Sequence, residues 1–428
     1  MRPHWIKNFD ALATSGVRRD ALRILEAGYD SIDPAEVLRT KVSVSGASLT
    51  IRERSFDLKP FKNVFLVGFG KGSCAAVSEL YSLLKARIKK SVVIDKTVLT
   101  TCPAEVEAFV GTHPLPSEAN VDATKVVLGL AEDAGEDDLV LVVVGGGGSA
   151  LLCASLEERD QEMRLFEKCE EVGATIQEMN TVRKHLSSLK GGRLARALYP
   201  ATVIGLIFSD IVGGHPEEVA SGPTYRDTST AEDANAILER YGLGGTFTLE
   251  ETPKEQKYFE RVTNIVLVSN EDSREHMAEI ARTMGYESIV IAEPLYASAE
   301  ETLESIRAHA KPGRAVFAGG EVRVRVPKDH GNGGRCEMLA LDSLSSLGPQ
   351  DVFVAAASDG SDNSDRAGAI VGKSTLERGT ALQIDFSAAR AHADALSVFA
   401  KTGDEIITGP VQANVSDWYF LITSHEPV

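Results

Sequence analysis

The sequence predicts an α/β protein built of two lobes, and three observations lead to that fold class. First, short runs in which every residue is apolar alternate with amphipathic stretches, as in parallel sheets that are buried on both faces. Second, this alternation stops in a polar segment, Thr228–Pro253, and then starts again. Third, the main clusters among the 37 glycines directly follow apolar runs, at the strand ends where α/β proteins bind ligands.

The first lobe is predicted to begin with helix over about 50 residues, because apolar residues recur there at a helical period. Its predicted strands and helices then alternate along the chain: strand Val64–Val67, helix Ser73–Leu84, strand Val92–Ile94, helix Asn120–Ala131, strand Leu139–Val144 and strand Val203–Phe208.

The second lobe repeats the alternation after the polar segment, which we predict to be the domain boundary. The predicted elements are strand Ile265–Val268, helix Asp272–Met284, strand Ser288–Ala292, helix Ala299–Ala310, and strands Ala315–Ala318, Val352–Ala357 and Trp418–Ile422. Polar and apolar residues alternate over Glu321–Val326, which predicts an antiparallel edge strand.

Composition excludes several classes of protein. The 428 residues carry 45 Lys and Arg against 62 Asp and Glu, a net charge of -17, so we expect no nucleic-acid partner. No uninterrupted apolar run reaches the ~18 residues of a membrane span. The five cysteines show no C-x-x-C spacing, which fits a reducing cytoplasm and argues against a zinc site. The sequence leaves open whether the protein forms a homodimer.

The first glycine loop, Gly68–Ser73, places Gly70 and Gly72 on either side of Lys71 between a strand and a helix. Backbone N–H groups, the helix dipole and an ammonium together favour an anion. The loop is not a Walker A motif, because Gly72 stands where Ser or Thr is needed. It approaches a dinucleotide fingerprint, with Asp95 after the next strand, although Ser73 occupies the third glycine position. A plain strand-to-helix turn is the alternative.

The second glycine loop is Gly145–Ser149, in which Gly146, Gly147 and Gly148 precede Ser149. Consecutive glycines cost folding entropy, and packing alone seldom requires them. We therefore expect an oxyanion or phosphate nest, with a flexible hinge as the alternative.

A basic segment and an aspartate complete the first lobe. Arg183 and Lys190 belong to a run of four cations within eleven residues, which suits a phosphate or carboxylate pocket or, equally, a solvated helix face. Asp210 lies two residues after the predicted strand Val203–Phe208. It is placed to accept a proton from a hydroxyl, to hold Mg²⁺, or to cap a helix.

The second lobe contributes four further polar loops: Gly319–Glu321, Gly331–Arg335, Ser358–Asp365 and Thr408–Asn414. The loop before Arg335 sets a guanidinium among flexible glycines. The acidic loop that contains Asp359 suggests a cation, although its spacing lacks the terminal glutamate of an EF-hand.

In this order the loops resemble the glycerate 2-kinase family, the type with a C-terminal MOFRL domain, whose members often carry the name hydroxypyruvate reductase. The segments that carry the resemblance span roughly residues 60 to 425. They are Gly68–Gly72, Thr112–Pro116, Gly145–Leu152, Asn180–Ala195, Ser209–Asp210, Ser221–Thr224, Gly319–Glu321, Gly331–Arg335 and Thr408–Asn414.

The resemblance implies a Rossmann-like three-layer domain over residues 1–235 and a smaller, MOFRL-like α/β domain over residues 236–428. The active site would lie in the cleft, and the last strand could pack back on the first lobe. The implied activity is ATP- and Mg²⁺-dependent phosphorylation of the 2-hydroxyl of D-glycerate, or of a closely related sugar acid. The implied catalytic residues are Lys71, Asp210 and Arg335. The implied substrate or nucleotide ligands are Gly70, Gly72, Gly146, Gly147, Gly148, Ser149, Arg183, Lys190, Glu321 and Asn414, with Asp359 as a metal ligand.

The chain also departs from the family pattern. Gly214 and His215 stand where two acids usually follow Asp210, and the loop Ser358–Gly368 is one residue shorter than usual. These changes leave open a different acceptor, such as a four-carbon aldonate. Two other functions stay open: an NAD(P)-dependent hydroxypyruvate reductase, based on Gly68–Gly72 and Asp95, and a non-catalytic ligand-binding homologue.

Overall fold

The computed structural model describes residues 4–293 and 295–424, and the chain forms two compact units. The N-terminal unit is Pro34–Leu267, and the C-terminal unit combines Met1–Asp33 with Val268–Val428. The strands are β1 (Val42–Ser45), β2 (Ser48–Ile51), β3 (Arg54–Asp57), β4 (Asn63–Phe69), β5 (Ile88–Asp95), β6 (Glu107–Val110), β7 (Asp138–Val144), β8 (Thr202–Phe208), β9 (Val262–Val268), β10 (Glu287–Val290), β11 (Arg314–Gly320), β12 (Asp351–Ala357), β13 (Gly368–Gly372), β14 (Glu405–Ile406) and β15 (Asp417–Thr423).

The helices are α1 (Phe9–Leu12), α2 (Gly16–Ile32), α3 (Pro34–Lys41), α4 (Ser73–Leu84), α5 (Glu118–Asp133), α6 (Gly148–Leu151), α7 (Leu156–Val172), α8 (Ile176–Leu186), α9 (Arg193–Leu198), α10 (Ala231–Arg240), α11 (Asn270–Thr283), α12 (Ala299–Arg307), α13 (Arg335–Ser343), α14 (Lys373–Ala381), α15 (Phe386–Ala391) and α16 (Ala395–Thr402). Within the described residues, none of these helices is long and apolar enough to cross a membrane.

The N-terminal unit is organised around a six-stranded sheet in the order β6-β5-β4-β7-β8-β9. The pairs from β6 to β8 are all parallel, and β4 and β7 are buried along almost their whole length. This confirms the predicted α/β class for this part of the chain. Strands β5 and β6 follow β4 on one side of it, and β7, the next strand in the chain, pairs with β4 on its other side. The sheet therefore has a topological switch point between β4 and β7, where ligands of such sheets bind.

A small antiparallel sheet, β1-β2-β3, precedes the large one, so the prediction of helix over the first 50 residues was wrong beyond α3. Ser45 pairs with Ser48 across a tight turn, in which Gly46 has a φ of 61°. These strands are only four residues long, which is too short for their alternation to stand out from a helical period.

The C-terminal unit has a mixed sheet in the order β10-β11-β15-β12-β13-β14. Only the pair β10 and β11 is parallel, while β15 lies between β11 and β12 and is antiparallel to both. Helices α2 and α11 contact each other in this unit, and α2 also contacts β12, where the Tyr29 hydroxyl donates to the Ala357 carbonyl at 3.1 Å. The prediction of a second α/β lobe is thus confirmed.

Three boundaries differ from the predictions. The units divide after Leu267 rather than after residue 235, because β9 joins the N-terminal sheet beside β8. The first 33 residues belong to the C-terminal unit, since the apolar face of α2 packs there. The last strand, β15, lies inside the C-terminal sheet, between β11 and β12.

The predicted edge strand at Glu321–Val326 was also wrong. This segment makes a single bridge, from Arg323 to Ser298, and Val326 is 58% exposed. Val322 is buried and its N–H donates to the Tyr419 hydroxyl at 3.2 Å, while the N–H groups of Glu321 and Arg323 donate to the carbonyls of Leu295 and Ala297 at 3.1 and 3.0 Å. A loop and one side chain therefore hold this backbone.

Candidate functional site

The two glycine loops of the N-terminal unit follow β4 and β7, the strands that flank the switch point. The Lys71 N–H donates to the Gly146 carbonyl at 2.9 Å, and the Gly145 N–H donates to the Phe69 carbonyl at 2.9 Å. A Cβ atom at Gly70 would lie 2.4 Å from the Gly145 carbonyl oxygen. The loops therefore pack backbone against backbone, which explains why glycine occupies both.

Asp95 holds the first glycine loop in place through hydrogen bonds to its backbone. Its carboxylate accepts hydrogen bonds from the N–H groups of Cys74 at 2.9 Å, Lys96 at 2.6 Å and Gly72. Gly72, with a φ of 78°, is the residue that precedes α4. Burial raises the pKa of Asp95 to about 6, although these hydrogen bonds oppose the rise. Asp95 is 4% exposed, so its oxygens serve the loop and α4 rather than a ligand.

Two titratable side chains lie against successive glycines of the second loop. A Cβ atom at Gly146 would be 2.5 Å from Oδ2 of Asp210, and one at Gly147 would be 2.8 Å from Cδ2 of His113. The structure therefore brings the Lys71 backbone, Asp210 and His113 together at the Gly145–Gly148 loop.

A chain of hydrogen bonds links the second loop to the basic segment. The hydroxyls of Ser149 and Ser221 are 2.9 Å apart, and the Ser221 hydroxyl donates to Oδ1 of Asn180 at 3.3 Å. The same oxygen accepts from Nη1 of Arg183 at 2.9 Å. Arg183 is 9% exposed, and its Nε also donates to Glu162 at 2.7 Å. Ser149 and Arg183 thus belong to one network.

The predicted anion pocket around Lys190 is occupied by carboxylates of the protein itself. Its ammonium is fully buried and lies 2.8 Å from Oε1 of Glu162 and 3.3 Å from Oε1 of Glu158. These carboxylates raise the pKa of Lys190 above its ordinary value, although its burial acts in the opposite direction. Because both partners are protein carboxylates, we reassign Lys190 to the support of the loops rather than to ligand contact.

Arg335 is the first residue of α13 in the C-terminal unit. Its guanidinium donates to the buried carboxylate of Asp417 and to Oε1 of Glu321 at 3.1 Å. Burial disfavours the cation, but Asp417 and Glu321 outweigh it and raise the pKa of Arg335 further above its ordinary value. The Ser416 hydroxyl also donates to Glu321, at 3.3 Å. Two carboxylates therefore fix the orientation of the guanidinium.

A buried carboxyl pair supports the loop before Arg335. Asp362 accepts from the N–H groups of Cys336 at 3.1 Å and Glu337 at 2.7 Å, at the start of α13. A Cβ atom at Gly334 would lie 2.2 Å from the Asp362 carbonyl oxygen, so this position requires glycine. Burial, and then the mutual repulsion of the two carboxyls, raises the pKa of Glu337 to about 8; burial raises that of Asp362 to about 7.

Asn414 and Asp359 lie on neighbouring loops of the C-terminal unit. Oδ1 of Asn414 accepts from the Ser358 hydroxyl at 3.1 Å and from the Ser416 N–H at 2.9 Å. Oδ1 of Asp359 accepts from the Ser361 N–H at 3.1 Å. Across residues 4–293 and 295–424, no three His, Cys, Asp or Glu side chains are arranged to hold a metal ion. The residues present therefore do not form a Mg²⁺ site by themselves.

Sequence reasoning assigned no role to His113 or Lys96. The only signal was that Thr112–Pro116 is one of the segments that carry the resemblance. His113 belongs to the loop after the short strand β6. The apolar pattern did not predict this strand, because two of its four residues, Glu107 and Ala108, have a polar or a small side chain.

Known protein families match both parts of the chain. A family described as a domain of unknown function (DUF4147) matches residues 20–250, and the MOFRL family matches residues 314–417. D-glycerate 2-kinase of Thermotoga maritima is 35% identical over 378 residues, which are 83% of this chain and 89% of the relative. A protein of Agrobacterium vitis, named provisionally as a hydroxypyruvate reductase, is 31% identical over 92% of both chains.

The fold agrees as well. The crystal structure of glycerate kinase (EC 2.7.1.31) from Thermotoga maritima matches with a TM-score of 0.81 at 29% identity, covering 95% of this chain and 99% of that one. The matched regions cover between 83% and 95% of this chain and between 89% and 99% of the relatives. The chain therefore belongs to the glycerate 2-kinase family.

Proposed function

We propose that this protein is a kinase that transfers the γ-phosphoryl group of ATP to the 2-hydroxyl of D-glycerate or of a closely related sugar acid. The relatives named glycerate kinase support the reaction class. The observation that carries the proposal is the meeting of Lys71 and Asp210 at one glycine loop, where Gly146 accepts from the Lys71 N–H and lies against the Asp210 carboxylate.

Phosphoryl transfer needs positioning and charge stabilisation more than covalent chemistry from the protein. In the proposed reaction the Lys71 ammonium stabilises negative charge on the transferred phosphoryl group or on the substrate carboxylate. Asp210 orients the acceptor hydroxyl and takes its proton. N–H groups of the Gly145–Ser149 loop, other than those of Gly145 and Gly148, which donate to backbone carbonyls, bind anionic oxygens of the same ligands.

Arg335 is the third proposed catalytic residue. Its guanidinium is held by Asp417 and Glu321, so it needs no reorganisation to present its remaining N–H groups to phosphate oxygens. We expect Mg²⁺ to arrive with ATP, because Mg²⁺ in nucleotide sites is bound largely by phosphates and water.

The reductase alternative has less support. A dinucleotide-binding loop needs an acidic residue that is able to accept from the ribose hydroxyl. Asp95 stands at that position, but its carboxylate is buried and already accepts from four backbone N–H groups. The same hydrogen bonds fit a loop that is held rigid for phosphate.

An assay of ATP consumption coupled to ADP detection tests the proposal with D-glycerate, D-erythronate and L-threonate as acceptors. We expect turnover with one of these acids, and phosphorus NMR of the product should show phosphate on the 2-hydroxyl of glycerate. A parallel reaction with hydroxypyruvate and NADPH should leave the nicotinamide absorbance unchanged. Turnover of NADPH with no ATP consumption would replace this proposal by the reductase.

Two variants test the assigned roles. Lys71→Ala and Asp210→Asn should each lower kcat by about 10²–10⁴, the usual contribution of one charge-stabilising group or general base. Lys125→Ala and Asp122→Asn are matched controls, because these side chains form an exposed ion pair on α5. Both controls should keep wild-type kcat, while a near-wild-type rate in either test variant removes the role given to that residue.

A further inference from the structure

His113 is a part-buried histidine at the second glycine loop. Its ring lies against Gly147, since a Cβ atom there would be 2.8 Å from Cδ2 and 3.0 Å from Nε2 of the imidazole. Gly147 has a φ of 75°, a second reason for glycine at this position. The preceding residue, Gly146, lies equally close to the carboxylate of Asp210. His113 and Asp210 therefore lie beside adjacent peptide units of one loop.

The surroundings of His113 are positively charged. Burial, and then the cations of Lys71, Lys96 and Arg183, lower its pKa to about 4. No hydrogen bond to either ring nitrogen is formed by the part of the chain that the structure describes, so one N–H donor of a neutral imidazole is left for a ligand.

We propose that His113 is a further substrate-binding residue, whose imidazole donates a hydrogen bond to an anionic oxygen bound against the Gly145–Ser149 loop. This inference rests on the proposed kinase function, which supplies two sources of such an oxygen: the carboxylate of the sugar acid and a phosphate of the nucleotide. The cations of Lys71, Lys96 and Arg183 act on the ring, although Arg183 also pairs with Glu162, and they make the position attractive to either anion.

The arriving anion also changes the titration of His113. An opposite charge within about 4–6 Å favours the charged form of a group and shifts its pKa by about one to three pH units. The pKa of His113 should therefore rise from about 4 toward or above its ordinary value of 6.5 when the anion binds. The shift shows that the anion lies close to the ring, and the KM values of the His113 variants test the hydrogen bond itself.

NMR of the full-length protein with ¹³Cε1-labelled histidine tests this directly. The signal of His113 is identified as the one missing from the His113→Gln variant among the nine histidines. It is titrated alone, with D-glycerate, and with ADP. We expect its pKa to rise by about one pH unit or more with one ligand, which identifies the source of the anion. The exposed His276 serves as the control whose titration stays unchanged.

Kinetics gives an independent measurement. His113→Ala should raise KM about ten- to a hundredfold for the ligand that shifts the NMR signal, as expected for the loss of a hydrogen bond to a charged group. His113→Gln keeps an N–H donor and should recover part of that loss, while His276→Gln should have wild-type KM values. Circular dichroism checks that both His113 variants are folded.

The outcomes separate this inference from the proposed function. Absence of binding of both ligands to the wild-type protein overturns both. Binding and turnover by the wild type, with an unmoved His113 signal and an unchanged KM in His113→Ala, overturn the role of His113 alone. A shifted signal together with the raised KM supports it.

Discussion

The tight approach of Gly146 to Asp210 gives the sharpest prediction, for the substitution Gly146→Ala. The added Cβ would lie 2.5 Å from Oδ2, 3.1 Å from Cγ and 3.4 Å from Cβ of Asp210. Real Cβ atoms essentially never come within 3.0 Å of such neighbours, so the carboxylate must retreat by at least about 0.5 Å. Because Cγ as well as Oδ2 lies closer than ordinary contact distance, the carboxylate relieves the contact only by leaving its position beside the loop.

A misplacement of about 1 Å in a catalytic constellation costs on the order of a hundredfold in rate. Gly146→Ala should therefore lower kcat between about ten- and a hundredfold. Its backbone has no positive φ, so the substitution adds no backbone strain. Overpacking should lower the free energy of unfolding by about 1–3 kcal/mol, which leaves the protein folded at 25 °C.

Gly129→Ala is the matched control, because Gly129 lies in the interior of α5 and a Cβ there meets nothing within 4 Å. It should keep wild-type kcat and gain about 0.5–1 kcal/mol of stability. The assay is initial-rate ATP consumption at saturating acceptor, with urea unfolding for stability. A Gly146→Ala enzyme with a kcat within twofold of wild type, while Asp210→Asn is inactive, would refute the reasoning that Asp210 must stay at its position beside the loop.

Three further predictions concern stability, its dependence on pH, and the role of Arg335 in catalysis. Lys190→Met should lower the free energy of unfolding by about 3–5 kcal/mol in urea titration, because Glu158 and Glu162 remain buried without their ammonium; a loss below 1 kcal/mol would contradict the structural role. Wild-type stability should fall as pH rises from about 4.5 to 8, because Glu337 keeps its proton in the folded state until about pH 8 and loses it earlier in the unfolded state. Glu337→Gln should remove the share of this slope that Glu337 contributes, up to about 4–5 kcal/mol at about 1.4 kcal/mol per pH unit, while the raised pKa values of Asp362 and Asp95 leave a remaining slope of the same sign; an unaltered slope would show that Glu337 does not titrate in this range. Arg335→Lys should lower kcat at least tenfold, because an ammonium cannot reproduce the forked contacts to Asp417 and Glu321, and a wild-type kcat would exclude a need for the guanidinium.

The elements around the site were predictable from local patterns. Strands β4 and β7 are continuous apolar runs that end at glycine, and this pattern directly reflects burial on both faces of a parallel sheet. The convergence of Lys71 and Asp210 followed because the carboxyl ends of parallel strands lie at one edge of the sheet. Long-range pairing was not predictable. The run Trp418–Ile422 reads the same whether its neighbours are parallel or antiparallel, and only the structure shows β15 antiparallel to β11 and β12.

Charged residues were the hardest to interpret from sequence. Lys190 and Arg183 lie seven residues apart in one basic segment, yet Lys190 is enclosed by two glutamates that the chain supplies from α7. Nothing in the spacing of Glu158 and Glu162 marks them as its partners. His113 was missed for the opposite reason, since its significance comes from lying beside Gly147, 34 positions further along the chain.

Single-turnover transfer of phosphate from ATP tests the central claim most directly. Excess enzyme is mixed with γ-labelled ATP and D-glycerate or the acid selected by the acceptor screen, and the labelled product is followed over time for the wild type and for Asp210→Asn. The account predicts a labelled sugar acid phosphorylated on its 2-hydroxyl, formed at least a hundredfold more slowly by the variant. Label released as inorganic phosphate alone, or equal rates for the two proteins, would contradict it.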